Sequence, residues 1–101
     1  MSKNINNESP RTVAIKLIGG KWKLCILWHL SQKKMRFGEL QRSIGGITQQ
    51  MLSKQLKEMA EDNLVNRKVY EVIPPKVEYS LTPYGRSGIP VLTSLCEWAN
   101  K

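Results

Sequence analysis

Two successive glycines, Gly45-Gly46, interrupt the stretch from Phe37 to Asp62, FGELQRSIGGITQQMLSKQLKEMAED, whose apolar residues otherwise recur at helical spacing. Paired glycines supply the permissive backbone of a sharp helix-to-helix turn, so two short helices are expected here. The first, about Glu39 to Ile44, buries Leu40 and Ile44, which lie one helical turn apart. In the second, Leu52, Leu56 and Met59 follow one another at one-turn spacings and share a stripe that must be buried. Thr48 stands just before this run, where its hydroxyl can accept from an unpaired N–H of the first turn.

Opposite the stripe fall Gln50, Ser53, Lys54 and Lys57, with Gln49 at the edge. Gln can bond bidentately to adenine edges in the major groove and Lys neutralises phosphates, so this face suits duplex DNA. An ordinary solvated helix carries the same residue types. Composition favours the first alternative: 16 Lys and Arg stand against 8 Asp and Glu, a formal net charge of +8. That balance points to a polyanion, with nucleic acid ahead of an anionic membrane. No apolar run approaches the roughly 20 residues of a spanning helix. The Met1 to Ser9 segment is polar and lacks a signal peptide's apolar block, so a cytoplasmic protein without a membrane partner is expected.

Nothing in the sequence suggests catalysis, a metal or a cofactor: there is no Gly-rich phosphate loop, no Ser/His/acid set and no ligand cluster. The single histidine, His29, falls in an apolar helix and is expected to be structural. Cys25 and Cys96 lie far apart within helical apolar patterns, without zinc or disulfide spacing, and are expected to be buried thiols acting as small hydrophobes. With 101 residues the chain has room for one domain.

Met1 to Glu8 is polar and aperiodic, an expected flexible arm preceding a domain over 9–101. Ser9-Pro10 is a cap-plus-proline start for a short helix carrying Val13, Ile15, Leu17 and Ile18, ended by Gly19-Gly20. From Lys21 to about Ser31 a helix apolar nearly all round is expected at the centre, with Lys21, Lys23, His29 and Ser31 as its slim polar face. Gln32 to Arg36 forms a basic connector with a short edge strand at Met35 to Phe37; Lys33, Lys34 and Arg36 are either solvated or laid against a DNA backbone.

After Asp62-Asn63, where Asn can take the left-handed conformation that closes a helix, LVNRKVYEVI turns to strand composition. Pro74-Pro75 interrupts it, and KVEYSL then alternates Val77, Tyr79 and Leu81 against Lys76, Glu78 and Ser80. A hairpin directly after two angled helices is a wing, whose Arg67, Lys68 and Lys76 can reach phosphate or a minor groove; lysines that protect an edge strand are the alternative. Thr82-Pro83 opens a final helix to about Asn100, bent or delayed by Pro90. Its stripe of Ile89, Leu92, Leu95, Cys96 and Ala99, with Trp98 beside it, packs against a second copy, or folds back on Trp22 and Trp28, or does both.

With Ile18-Gly19-Gly20-Lys21-Trp22, Arg36-Phe37, Glu39-Leu40, Gly46-Ile47-Thr48, Leu52-x-x-x-Leu56, Pro74-Pro75-x-Val77-Glu78-Tyr79-Ser80-Leu81-Thr82 and Gly85-Arg86 in order, the chain resembles the HxlR family of bacterial winged-helix transcription regulators from about Pro10 to Trp98. The resemblance implies a homodimer on a palindromic operator, with N- and C-terminal helices paired across the dimer through Val13, Leu17, Ile89, Leu92, Leu95, Cys96, Trp98 and Ala99. It makes Thr48 to Lys57 the recognition helix and Arg67 to Lys76 the wing. Several relatives sense electrophiles or oxidants through a cysteine near the start of the first helix; Ser9 stands there in this chain, and a hydroxyl cannot form the thiolate required.

The expected fold is therefore α+β, mainly α: a winged helix-turn-helix with a two- to three-stranded antiparallel wing and added terminal helices. Expected DNA contacts are Gln49, Gln50 and Ser53 on base edges, Lys54, Lys57, Arg67 and Lys76 on phosphates, and Arg36, Thr48 and Lys68 alongside. A protein-binding winged helix without DNA affinity is the alternative. A small-molecule effector has no legible signature.

Overall fold

The structure, a computed structural model, describes residues 20–100. The expected arm, the Ser9-Pro10 helix start, and Val13 and Leu17 fall outside the described residues.

Helix α1 (Lys21–Gln32) occupies the centre, with Ile26, Leu27 and Leu30 buried. It is less evenly apolar in its surroundings than expected: Trp28 is half exposed, whereas Lys23, assigned to the polar face, is buried. Its ammonium meets Glu58 at 3.0 Å, which is how a cation is accommodated there. Strand β1 (Met35–Arg36) follows, a residue shorter than expected. Helix α2 (Phe37–Ile44) begins two residues earlier than expected because the Arg36 backbone N–H donates to Glu39 Oε1 at 3.1 Å, closing the first turn.

Gly45 and Gly46 take φ of 72° and 74°, a region side-chain-bearing residues seldom adopt, and turn the chain into helix α3 (Gln49–Glu61). The Gln41 amide donates across this turn to the Ile47 carbonyl at 3.2 Å, fixing its opening. Leu52, Leu56 and Met59 are buried as their spacing requires. They join Ile26, Leu30 and Leu40 as the most deeply enclosed side chains of the core. Asn63 closes α3 with φ 62°.

Strands β2 (Val65–Tyr70) and β3 (Lys76–Leu81) form an antiparallel hairpin, and β1 adds to the free side of β3, giving a three-stranded sheet of order β1-β3-β2. Register runs from Val65↔Leu81 to Tyr70↔Lys76, with Met35↔Tyr79 and Arg36↔Glu78 on the other edge. Met35, Val65, Tyr79 and Leu81 thus share the buried side, because paired residues point the same way.

The single terminal helix expected from Thr82 is two helices. Thr82 caps a short α4 (Pro83–Arg86), the chain breaks at Ser87-Gly88, and α5 (Ile89–Ala99) follows with Pro90 in its first turn. Proline lacks the N–H that a continuous helix would need there, and the Gly88 N–H turns back to the Gly85 carbonyl at 3.1 Å. Helix α5 does return to α1: Leu92 is buried and Ile89 partly so, while Leu95, Cys96, Trp98 and Ala99 are exposed in the single chain. Both cysteines depart from expectation, Cys96 being exposed and Cys25 half-buried. The helical stripe is wider than the surface α1 can cover.

Candidate nucleic-acid interface

Helix α3 carries the proposed contact face and is anchored from three directions. Its start is set by Thr48, whose hydroxyl accepts from the Met51 N–H at 3.1 Å. Its inner stripe is sunk in the core, and its Glu58 is tied to Lys23 of α1. With the helix so held, Thr48, Gln49, Gln50, Ser53, Lys54 and Lys57 are all exposed, and the side chains of the two glutamines, Ser53 and the two lysines make no hydrogen bond or ion pair with any of the described residues. Glutamines and serine lie toward the amino end, lysines further on. Glu61 follows on the same side and closes the basic run.

The wing divides its cations between two sides. Arg67 pairs with Tyr79 and lies on the side facing α3. It lines an open groove of about 440 Å³ with Ser53, Leu56, Lys57, Ala60, Glu61 and Tyr79, so Arg67 and Lys57 approach one cleft from the two elements. Lys68 and Lys76 lie on the opposite side, around Tyr70: their ammonium groups stand 4.9 and 4.7 Å from its ring centroid. Glu78 ties this cluster together. It accepts from the Tyr70 hydroxyl at 2.8 Å and pairs with Lys76 at 3.5 Å and Lys34 at 3.9 Å. The tyrosine's hydrogen bond, aided by the two lysines, holds the Glu78 carboxyl below its ordinary range. The same bond pushes the Tyr70 phenol up.

Arg36 is not brought to α3. It sits at the amino end of α2, opposite Glu78 in the sheet, and borders a separate concavity with Gly38, Glu39 and Arg42. Lys33 pairs with Glu39 at 3.6 Å. The Arg36 backbone N–H chiefly, with Lys33 beside it, lowers the Glu39 pKa. The expected contacts thus fall into three groups: the α3 face with Arg67, the Tyr70 cluster with Lys68 and Lys76, and Arg36 at the foot of α2.

Sequence reasoning passed over Tyr70 and Glu78, whose partnership follows from strand register rather than from any local motif. It also passed over the apolar tip, where Val72, Ile73, Pro74 and Pro75 are exposed. The signal was present, since an uncharged apolar run is unusual at a hairpin turn. Among the described residues no group of three His, Cys, Asp or Glu side chains could hold a metal ion, and no helix is long and apolar enough to cross a membrane.

Two helices joined at a glycine turn, the second with a bare polar face, followed by a hairpin that completes a three-stranded sheet, define a winged helix-turn-helix protein. A family model described as HxlR-like helix-turn-helix matches residues 17–101. An uncharacterized HTH-type transcriptional regulator of Halalkalibacterium halodurans is 50% identical over 100 residues, covering 98% of this chain and 88% of the relative. One from Methanothermobacter thermautotrophicus is 51% identical over 86 residues; the match covers 85% of this chain and 66% of that relative's length. Among solved structures, the redox regulator HypR in its oxidized form superimposes with a TM-score of 0.86 at 43% identity, covering 91% of this chain and 95% of that one. The chain belongs to the HxlR-like family of helix-turn-helix transcriptional regulators.

Proposed function

We propose that this protein regulates transcription as a cytoplasmic homodimer that binds a palindromic operator in duplex DNA. Gln49, Gln50 and Ser53 meet base edges at the amino end of α3, Thr48 flanks them, Lys54, Lys57, Arg67 and Lys76 hold phosphates, and Lys68 lies alongside. Arg36 touches the backbone from the foot of α2. The observation that carries this reading is the exposure of the glutamine, serine and lysine face of α3 while its opposite stripe is buried. A two-subunit assembly is supported by α5, where Leu95, Cys96 and Ala99 line an open apolar concavity with Trp28 of α1 and where Val91 and Trp98 are also exposed, apolar surface that association would cover. Two recognition helices related by a two-fold axis meet half-sites about one helical turn, roughly 34 Å, apart.

Selection of bound sites from random duplexes tests this directly. A two-fold symmetric motif with that spacing is expected, together with affinity that falls steeply with salt. Absent or salt-insensitive binding would instead leave a winged helix that docks on protein.

A further inference from the structure

The hairpin tip presents Ile73 fully exposed, with Val72 half exposed and Pro74 and Pro75 exposed beside it. No Lys or Arg occurs between Lys68 and Lys76, and the one charge in the turn is Glu71. Behind this apolar nose, Lys68 and Lys76 are both held against Tyr70 on one side, and Arg67 faces α3 on the other. Cations therefore flank the tip without occupying it.

We propose that Ile73 is a minor-groove contact that reads deformable pyrimidine–purine steps flanking the sequence under α3. This rests on the duplex-DNA reading above and extends it. A minor groove offers an occupant of matching pattern: two rows of phosphate for the flanking ammonium and guanidinium groups, and between them sugar walls and base edges for an apolar side chain. A protein partner would call for a broader apolar surface than one projecting residue and its neighbours. The chemistry of the tip also sets its preference. Narrow A-tract grooves attract inserted cations, which this tip lacks. Isoleucine and proline instead act as wedges, and a wedge enters most easily where stacking is weakest, at TA and CA steps.

Site selection with the wild-type protein, Ile73→Ser and Ile73→Arg tests the proposal. Since Ile73 touches nothing in the fold, all three should melt alike. Wild type is expected to enrich TA or CA steps outside the half-sites. Ile73→Ser should keep the central motif, lose that flank preference, bind the wild-type consensus at least about fivefold more weakly and retain the same salt dependence. Ile73→Arg should shift the flanks toward A-tracts and steepen the slope of log K against log salt by about 0.9. A flank preference absent from wild type, or unchanged in Ile73→Ser, overturns the proposal and leaves the tip to a protein partner. Failure of wild type to bind any duplex overturns the underlying DNA reading as well, so the two failures are told apart.

Discussion

Lys23 Nζ lies 3.0 Å from Glu58 Oε1, joining the buried side of the central helix α1 to the back of the recognition-type helix α3. The hydrogen bond and charge of Lys23 hold the Glu58 carboxyl below its usual range, against the opposing pull of desolvation and with minor help from Lys54. A folded-state value below the unfolded one contributes stability that is fully present above the unfolded pKa, about 4.3, and is lost as pH falls through the folded value. The urea midpoint should therefore fall as pH drops below about 4.3. Glu58→Gln should flatten that part of the profile and lower stability at neutral pH, since the charge of the Glu58 carboxylate beside the buried Lys23 ammonium is then lost. An identical acid limb in the variant would remove the pair from the account.

Thr82 joins the end of α3 to the return from the wing. Its hydroxyl donates to the Asn63 carbonyl at 2.6 Å and accepts from the Gly85 N–H at 2.8 Å. A Cβ on Gly85 would lie 2.1 Å from the Leu64 carbonyl oxygen, and the obstacle is the Leu64 backbone, which cannot swing aside as a side chain can. Gly85→Ala should cost about 1–3 kcal/mol or more, read as a fall in the thermal midpoint. Loss of DNA affinity should track loss of fold, because both residues are buried at the start of α4 and neither belongs to the exposed face of α3.

Gln50 and Lys57 are both exposed on α3 yet should fail differently. Gln50→Ala should lower discrimination between operator and random duplex by roughly 1–3 kcal/mol while leaving nonspecific binding nearly intact. Lys57→Ala should weaken binding to every sequence and reduce the salt slope by about 0.9. Equal losses on operator and random DNA for Gln50→Ala would exclude a base contact.

Glu78 restrains Lys76 and Lys34 in the free protein. Glu78→Gln removes that competing anion and keeps an acceptor for the Tyr70 hydroxyl. Affinity should rise severalfold on all duplexes, measured by titration at fixed salt, with a slope steeper by up to about 0.9 for each lysine released. Unchanged affinity would mean that these lysines stay clear of phosphate.

Trp98, 74% exposed on α5, contributes little to its own subunit. Trp98→Glu should leave the thermal midpoint of dilute protein close to wild type while shifting sedimentation at micromolar concentration from dimer to monomer. A dimer of unchanged strength would place the interface elsewhere.

Much of the fold was legible because it is encoded locally. The threonine caps at positions 48 and 82, the left-handed Asn63, the glycine turn and the stripe of Leu52, Leu56 and Met59 each depend on neighbours within a turn or two, and each was found where expected. Less legible was the terminal segment. Its periodicity continues across residues 87–88, so Pro90 signalled a delay without revealing that α4 and α5 would separate.

Of the candidate site, the exposed face of α3 could be read from period alone, since burying one stripe of a helix leaves its opposite free. The partition of the wing could not. Whether Arg67 joins α3 while Lys68 and Lys76 gather at Tyr70 depends on the pairing of residues about ten positions apart, and shifting register by one would exchange the two sides.

Local chemistry in the sequence by itself determined where helices start and stop, which stripes turn inward and how strongly charge favours a polyanion. Only the tertiary structure decided that Lys23 is buried beneath α3, that Cys96 is exposed, and that an apolar tip stands between cations. The physical reason is that burial and ion pairing are properties of surfaces brought together from distant parts of the chain, and periodicity describes one surface at a time.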